Sequence, residues 1–492
     1  MLAQPETDSA GSLGEEGMMS HSARVAFVAL VGVVSSLAVP VAAGAQRVFD
    51  PAAVDAIFAD LDEFPVPGCA LGVVRGGELV FGRGYGMANL EHDIPITTES
   101  VFRTGSVSKQ FTAAVVVIAV MDGHLSLDDP LRKWIPELPD YGQPLTVLHA
   151  LNHTSGLRDY LTLMRLRGLR GDDFYTGEEL IAVQVRQEEL NFPPGTEFLY
   201  SNSGYFLLTE AVARAVGKPF KEYAEEVVFG PLGMTHSHFH DDHDHIVPRR
   251  ADGYAPLPGG GFRTSMTTLD MIGDGGVYTS IEDMVHWVHA LAADGLRPGL
   301  TAMLETRGVL TSGEQIDYAM GQTHGEYRGL ATVGHGGSFV GFRADVLRFP
   351  SERTSIITLC NRADGNPSSR ARAVADVVLA DRLGPRAAER VRSAGSSGDA
   401  PTTSPVTDPS PYVGTYHSPE LDVDYDFMEV DGALIVRAGA GIDAQVLAVA
   451  GDTLRASPMT FRFTRAGDEV TEFELDAGRV VHVRFERAGG RP

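Results

Sequence analysis

The stretch Val101-Phe-Arg-Thr-Gly-Ser106-Val-Ser-Lys109-Gln-Phe111-Thr-Ala-Ala-Val-Val-Val-Ile-Ala-Val-Met121 sets a short polar motif directly before an apolar run. The eleven residues Phe111–Met121 are almost wholly apolar and too few to cross a bilayer, so they predict a helix that is buried on all sides. Positions i and i+3 share one face of a helix. The spacing therefore predicts that the Ser106 hydroxyl and the Lys109 amine lie within hydrogen-bond reach of each other.

Ser106 and Lys109 together have the chemistry of a nucleophile and its base. A serine becomes a nucleophile when a neighbouring base takes its proton, and burial lowers the pKa of a lysine. A helix N-terminus also favours negative charge that develops at the serine. The motif alone leaves a second interpretation open, namely a helix N-cap followed by a solvated lysine.

Lysine is scarce in this chain. Lys109, Lys133, Lys218 and Lys221 are the only lysines among 40 basic residues, and the rest are arginines. A guanidinium group does not give up its proton at physiological pH, whereas an ammonium group can. A lysine at position 109 therefore fits a role that arginine cannot fill.

The composition bounds the class of protein. The 492 residues carry 40 Lys and Arg against 65 Asp and Glu, a formal charge of −25, which argues against nucleic acids and anionic membranes as partners. The length allows several domains. Two cysteines, Cys69 and Cys360, exclude a multi-cysteine zinc site and a disulfide-dense scaffold.

Two further boxes follow the serine–lysine motif in a fixed order. They are Tyr200-Ser-Asn202 and His335-Gly-Gly337, and Leu151-Asn-His-Thr-Ser-Gly156 and Gly275-Gly-Val-Tyr-Thr-Ser280 lie between the motif and the last box. With this set the chain resembles the class C-like branch of the serine β-lactamase and penicillin-binding protein superfamily. The signatures of that superfamily include Ser-x-x-Lys. The resemblance runs from about residue 50 to residue 385. That branch includes D-stereospecific peptidases and short-chain esterases.

The resemblance implies a role for each matching residue. Ser106 is the acylated nucleophile, and its backbone N–H forms an oxyanion hole with that of Ser338. Lys109 and Tyr200 share the general-base role, and Tyr200 protonates the leaving group. To act as a base, Tyr200 needs a pKa that the lysine charge has shifted down. Asn202 orients Lys109 and the substrate amide.

The third box departs from the family pattern. Penicillin-recognising members usually carry Lys-Thr-Gly where this chain has His335-Gly336-Gly337. The resemblance still implies hydrolysis, with His335, Gly337 and Ser338 binding substrate, but it puts strong β-lactam recognition in doubt. A protonated His335 would attract a carboxylate at low pH, so activity on such a substrate should weaken as the pH rises past the imidazole pKa.

The predicted fold class is α+β. Cys69–Val74 and Leu79–Gly82 read as a hairpin, further strands are expected near residues 332–333, 340–349 and 355–359, and a helix is expected at Ser369–Leu383. The resemblance implies an antiparallel sheet flanked by helices plus an all-helical subdomain. Short alternating segments after residue 411 predict a small antiparallel β-barrel, which resembles the lipocalin-like domain of some family members.

The sequence predicts four consecutive segments. Residues 1–45 are a leader and signal peptide, because Arg24 precedes an apolar run that ends in small residues; a spanning helix is the alternative. Residues 46–385 form the hydrolase domain, 386–410 a linker rich in Gly, Ser, Pro and Thr, and 411–492 the barrel. We expect a periplasmic or secreted protein with no stable membrane anchor after signal cleavage.

Two further features have structural and functional interpretations. The tract His236–His245 holds five imidazoles and reads as a surface loop, with a metal site as the alternative. Cys69 and Cys360 are expected to be buried free thiols, since cysteines within strands often cannot meet disulfide geometry. The resemblance places the first strand beside the last, which leaves a disulfide open.

The sequence thus predicts an exported serine hydrolase that cleaves amide or ester bonds through an acyl-enzyme on Ser106, without a metal or organic cofactor. D-amino-acid peptides are the expected substrates and short acyl esters the next. A β-lactamase or D,D-carboxypeptidase proper, or a catalytically silent scaffold that binds peptidoglycan, are the alternatives. The oligomeric state stays open.

Overall fold

The computed structural model describes residues 49–62, 65–170, 173–385 and 403–489. The predicted leader and signal peptide at residues 1–45 lie outside these ranges, as do residues 386–402 of the predicted linker. None of the helices in the described ranges combines the length and the hydropathy that crossing a bilayer requires.

An antiparallel sheet forms the base of the first part of the chain. Its strands and the smaller strand pairs around it are, in chain order, β1 (Cys69–Arg75), β2 (Glu78–Tyr85), β3 (Met87–Asn89), β4 (Ile94–Pro95), β5 (Phe102–Arg103), β6 (His238–Phe239), β7 (Tyr254–Pro256), β8 (Phe262–Thr264), β9 (Val277–Thr279), β10 (Arg307–Val309), β11 (Gln315–Ala319), β12 (Gln322–Tyr327), β13 (Leu330–Phe339), β14 (Phe342–Phe349) and β15 (Thr354–Cys360). The main sheet has the order β10-β11-β12-β13-β14-β15-β1-β2. The predicted β1–β2 hairpin and the three late strands are confirmed.

Helices cover the sheet and form the body beside it. They are α1 (Pro51–Asp55), α2 (Ser108–Met121), α3 (Leu131–Trp134), α4 (Val147–Leu151), α5 (Tyr160–Leu166), α6 (Gly177–Val185), α7 (Asn202–Val216), α8 (Phe220–Ala224), α9 (Gly230–Leu232), α10 (Ile281–Ala293), α11 (Leu300–Leu304) and α12 (Pro367–Val378). The run from α3 to α9 is the predicted helical subdomain. The helix predicted for Ser369–Leu383 ends earlier, because the backbone leaves the helical region at Leu379.

Strand β1 shows why this sheet needs helices on both faces. Successive side chains of a strand point to opposite faces. Leu71 and Val73 pack into one apolar cluster with Val374 of α12, whereas Ala70 packs into the other cluster with Ile281 of α10. The strand is therefore apolar from Cys69 to Val74 instead of alternating with polar residues.

Helix α2 is buried as the sequence predicts. Its residues from Ser108 to Ala119 are all buried, including the polar side chains of Lys109, Gln110 and Thr112. Gln110 accepts a hydrogen bond from the indole of Trp287 at 3.1 Å. The helix runs through the centre of the molecule and carries Lys109 with it.

A second sheet occupies the C-terminal part. Its strands are β16 (Ser404–Pro405), β17 (Gly414–Ser418), β18 (Val423–Val430), β19 (Ala433–Ala438), β20 (Ile442–Gln445), β21 (Leu447–Ala450), β22 (Thr453–Ala456), β23 (Met459–Ala466), β24 (Glu469–Ala477) and β25 (Val480–Arg487). The sheet is antiparallel throughout and curls into a half-barrel around aromatic side chains such as Phe427, Phe473 and Phe485. In the described residues β16 and β20 are its two edges, so the predicted small antiparallel barrel takes the form of an open half-barrel.

A buried arginine joins the helical body to the C-terminal sheet. The Nη1 of Arg158 lies 2.6 Å from Oε1 of Glu420, and its Nε and Nη2 donate to the carbonyls of Val481 and His482 at 3.0 and 2.9 Å. Both charged side chains are almost fully buried. Removing one partner of such a pair would leave an uncompensated buried charge, so the two parts are fixed to each other by electrostatics as well as packing.

The prediction of two free thiols is wrong, because Cys69 and Cys360 form a disulfide. Both cysteines are in strands, but Cys69 begins β1 and Cys360 ends β15. The antiparallel register sets these two residues directly opposite each other. The expectation rested on the geometry of unspecified strand positions, and only the register decides whether two cysteines face each other.

The disulfide should contribute measurably to stability. It connects residues 291 positions apart, and a long closed loop restricts the unfolded chain. We expect the Cys69→Ala/Cys360→Ala variant to lose about 2–5 kcal/mol of unfolding free energy, measured by urea denaturation. Titration of free thiols in the unfolded wild-type protein should detect neither cysteine until a reductant is added. Two reactive thiols without reductant would contradict the pairing.

Candidate active site

Ser106 sits on a short turn that leads into helix α2. The turn Gly105–Val107 is a 3-10 helix, and Gly105 has a φ of +53°, a conformation that favours glycine. A Cβ at Gly105 would lie 2.8 Å from the Ser338 backbone nitrogen, and one at Gly337 would lie 1.9 Å from the Thr104 carbonyl. This close approach of the turn to β13 brings the Ser338 amide beside the nucleophile, as the predicted oxyanion hole requires.

Lys109 is fully buried and held by three oxygen atoms. Its Nζ lies 3.5 Å from Ser106 Oγ, and it donates to Asn202 Oδ1 at 2.8 Å and to the Asp274 carbonyl at 2.6 Å. Asn202 is fixed in turn, because its backbone N–H and its Nδ2 both donate to Asp159 Oδ2 at 2.8 Å. The structure thus brings Ser106, Lys109 and Asn202 together in the predicted arrangement.

The surroundings of Lys109 make its neutral form more accessible than that of an exposed lysine. Burial lowers the pKa of its ammonium group, while the carboxylates of Asp274 and Asp159 oppose this change. Burial also raises the pKa of the Asp274 carboxyl, which accepts a hydrogen bond from Tyr160 Oη at 3.1 Å. A lysine whose pKa lies below its usual range is suited to take the proton of Ser106.

The pKa of Tyr200 is raised, whereas the sequence predicts a lowered one. Burial raises the pKa of its phenol, and the nearby Ser106 hydroxyl and Arg479 guanidinium oppose that rise only in part. The Lys109 Nζ lies 4.8 Å from the centre of the Tyr200 ring, but burial has the largest effect on the pKa of the phenol. The expected downward pKa shift is therefore wrong, and Tyr200 is suited to donate a proton, not to rest as a phenolate.

The box Leu151–Gly156 supports Tyr200 from behind. The His153 ring packs against the Tyr200 ring with 4.0 Å between centroids and a tilt of 33°, and His153 Nδ1 accepts a hydrogen bond from the Ser201 backbone N–H at 3.2 Å. Burial lowers the pKa of the His153 imidazole well below its usual value. His153 is thus a neutral side chain that packs against the Tyr200 ring.

His335 is held as a neutral imidazole. Its Nδ1 donates to the Gly336 carbonyl at 2.6 Å, so its Nε2 is free to accept from Tyr318 Oη at 3.1 Å. Burial and the Lys109 ammonium lower the pKa of the imidazole to about 4. The expectation that a protonated His335 attracts a carboxylate therefore fails over the neutral pH range.

The predicted residues meet in a cavity of about 600 Å³. Ser106, Tyr200, Asn202, His335, Gly337 and Ser338 line it. Lys109 is buried behind this wall. Three arginines, Arg103, Arg343 and Arg479, line the same cavity, and none of them was predicted from the sequence.

The sequence did not predict the two carboxylates near Lys109 or the arginine that lines the cavity from the C-terminal sheet. Asp159 follows the Leu151–Gly156 box by three residues, and Asp274 directly precedes the Gly275–Ser280 box. Their position next to these boxes is the signal that was available. Arg479 carries no such signal, since it lies in one of several similar hairpin turns.

The histidine tract lies outside this cavity, and the expected surface loop is only partly right. His238–Phe239 form β6, and Phe239 and His240 are buried, whereas His243 and His245 are exposed. His238 Nε2 is 3.1 Å from His240 Nδ1, and His243 Nδ1 is 2.9 Å from Asp270 Oδ2. Within the described ranges, no group of three or more His, Cys, Asp or Glu side chains is arranged to hold a metal ion.

Comparison with known proteins gives the family. The beta-lactamase family model matches residues 54–381, and the chain therefore belongs to the beta-lactamase family. The D-aminopeptidase of Gluconobacter oxydans (strain 621H) is 30% identical over 326 residues, which make up 65% of this chain and 60% of that protein. The chain thus aligns with less than two thirds of that relative's length.

Solved structures share the fold. The octameric penicillin-binding protein homologue from Pyrococcus abyssi is 23% identical with a TM-score of 0.60, and the match covers 88% of this chain and 98% of that one. The D-amino acid amidase from Ochrobactrum anthropi SV3 is 22% identical with a TM-score of 0.57, covering 67% and 99%. The first match extends into the C-terminal sheet.

The pH dependence of acylation should report Lys109. Because its neutral form is the base, kcat/KM for a neutral p-nitrophenyl ester should rise with pH and level off above the lysine pKa. Since burial lowers that pKa, the midpoint should lie below the value of about 10.4 for a free lysine. Lys109→Arg should lose about 10³-fold or more in kcat/KM at every pH.

A matched control for this measurement is Lys133→Arg, because Lys133 is exposed and pairs with Asp129. It should keep the wild-type profile. A wild-type midpoint at or above that of a free lysine, or full activity in Lys109→Arg, would contradict the assignment of the base.

Proposed function

We propose that the protein is a serine hydrolase that cleaves amide bonds of D-amino-acid peptides and amides through an acyl-enzyme on Ser106. The observation that carries this proposal is the buried Lys109, which lies 3.5 Å from Ser106 Oγ and is held by Asn202 and the Asp274 carbonyl. The relative named D-aminopeptidase supports the substrate class.

In the proposed acylation, neutral Lys109 takes the Ser106 proton as Oγ attacks the substrate carbonyl. The backbone N–H groups of Ser106 and Ser338 stabilise the oxyanion of the tetrahedral intermediate. Tyr200 gives its proton to the leaving nitrogen as the C–N bond breaks, and the Lys109 ammonium returns a proton to Tyr200. The raised pKa of Tyr200 keeps this proton available until the leaving nitrogen needs it.

Deacylation reverses the proton transfers with water in place of the leaving group. Water attacks the Ser106 ester, its proton passes to the Tyr200–Lys109 pair, and Ser106 Oγ leaves with a proton. Acid, Ser106 and neutral Lys109 are then restored. The proton transfers use Ser106 and Tyr200, which line one cavity, and Lys109, whose Nζ lies 3.5 Å from Ser106 Oγ. This arrangement speaks against a silent scaffold.

We also propose that the protein is exported to the periplasm or secreted. The signal-like segment before residue 46 supports this, and so does the disulfide between Cys69 and Cys360, since such bonds persist in oxidising compartments. The antiparallel half-barrel after residue 403 supports kinship with the lipocalin-like domain.

Stereospecific hydrolysis tests the proposed substrate class. D-alanine p-nitroanilide should be hydrolysed at least about 10²-fold faster than its L enantiomer, and Ser106→Ala should abolish the reaction. Adding p-nitrophenyl acetate and nitrocefin to the substrate panel distinguishes amidase activity from esterase and β-lactamase activity. Preference for the L enantiomer, or turnover of the ester or nitrocefin alone, would overturn the proposed substrate class.

A further inference from the structure

A hairpin of the C-terminal sheet places an arginine in the catalytic cavity. Strands β24 and β25 are joined by the two-residue turn Gly478-Arg479, in which Gly478 has a φ of +60°. Two-residue hairpin turns favour such a glycine. The Arg479 side chain lines the same cavity as Ser106 and Tyr200, although it comes from a different part of the chain.

The guanidinium of Arg479 is close to the proton donor and has unused hydrogen-bond capacity. Its Cζ lies 4.7 Å from the centre of the Tyr200 ring, and its nearest charged partner is Asp159 Oδ2 at 3.7 Å. That oxygen already accepts two hydrogen bonds from Asn202. Within the described residues no side-chain hydrogen bond holds the Arg479 guanidinium, and 45% of the side chain is exposed.

The turn that carries Arg479 is anchored on both sides. The Arg479 carbonyl accepts from Asn191 Nδ2 at 3.0 Å, and the Val481 N–H donates to Asn191 Oδ1 at 2.9 Å. The Val481 carbonyl accepts from the buried Arg158 at 3.0 Å. The backbone of the turn is therefore fixed, while the guanidinium remains available to a ligand.

The other two arginines of the cavity are less exposed than Arg479, although Arg103 Nε has no hydrogen-bond partner among the described residues. Arg103 is buried and lies over the Phe339 ring at 5.1 Å. Arg343 Nη1 donates to the carbonyls of Val340 and Phe342 at 2.9 and 2.6 Å. Arg479 is the arginine of the three with the most accessible donors near Tyr200.

We propose that Arg479 binds a carboxylate on the leaving group of the substrate and thereby selects peptides over neutral amides. This rests on the proposed function. The leaving side is indicated because Arg479 covers Tyr200, the residue that protonates the leaving nitrogen. A guanidinium binds a carboxylate through two parallel hydrogen bonds, and it supplies the fixed positive charge that the neutral His335 does not.

A matched pair of substrates isolates this interaction. D-alanyl-D-alanine and D-alanyl-D-alaninamide have the same scissile bond, and only the leaving group of the first carries a carboxylate. The measured quantity is the ratio of kcat/KM for the acid to kcat/KM for the amide. Arg479→Gln should lower this ratio about 10- to 100-fold. Arg479→Lys should lower it less, because lysine keeps the positive charge but cannot form the two parallel hydrogen bonds of a guanidinium group.

Arg484→Gln is the matched control, because Arg484 lies on the same strand β25 with an exposed side chain. It should leave the ratio unchanged. If Arg479 only supports the turn or alters the proton affinity of Tyr200, its replacement will slow both substrates equally. An unchanged ratio in Arg479→Gln and Arg479→Lys would therefore overturn the proposal.

A second pair of substrates separates this proposal from the proposed function. D-alanyl-D-lactate and its lactamide counterpart keep the free amino group and carry the same two leaving-group ends on an ester bond. If only the esters are turned over, the amide substrate class fails, and the ratio for the ester pair still decides the role of Arg479. If the wild-type protein turns over none of the four compounds, both proposals are overturned.

Discussion

The buried ammonium group of Lys109 is the constraint on which the site depends. A buried charge must be compensated by hydrogen bonds and opposite charge. The chain provides Asn202 Oδ1 and the Asp274 carbonyl as acceptors, with the Asp159 and Asp274 carboxylates nearby. The burial of Lys109 in α2 makes these acceptors necessary, and it also lowers the pKa of the lysine. The packing of α2 therefore determines how well Lys109 can take the proton of Ser106.

This arrangement extends from the catalytic centre to the C-terminal sheet through two adjacent residues. Asp159 accepts the hydrogen bonds that fix Asn202, and Arg158 beside it pairs with Glu420 and holds the strand that follows Arg479. Any shift of the C-terminal sheet would therefore act on Arg158 and Asp159 together. The half-barrel contributes to the site, because its hairpin adds Arg479 to the lining of the cavity.

The sequence predicted the local elements and the residues within motifs. Apolar patterns gave the β1–β2 hairpin and the buried α2, and the ordered boxes gave Ser106, Lys109, Tyr200 and Asn202, which the structure brings together. It did not predict contacts that depend on tertiary packing. The disulfide depends on strand register, and the neutral state of His335 depends on burial. Arg479, more than 350 residues after Ser106 in sequence, enters the cavity through the docking of the C-terminal sheet.

Trapping of the acyl-enzyme tests the central claim most directly. The wild-type protein is incubated with a fluorophosphonate or a labelled penicillin, digested and examined by mass spectrometry, with Lys109→Arg treated in parallel. The account predicts one adduct from at least one reagent, on the peptide that contains Ser106, and a much slower reaction in the Lys109 variant. An adduct on another residue, or no adduct with either reagent, would contradict it.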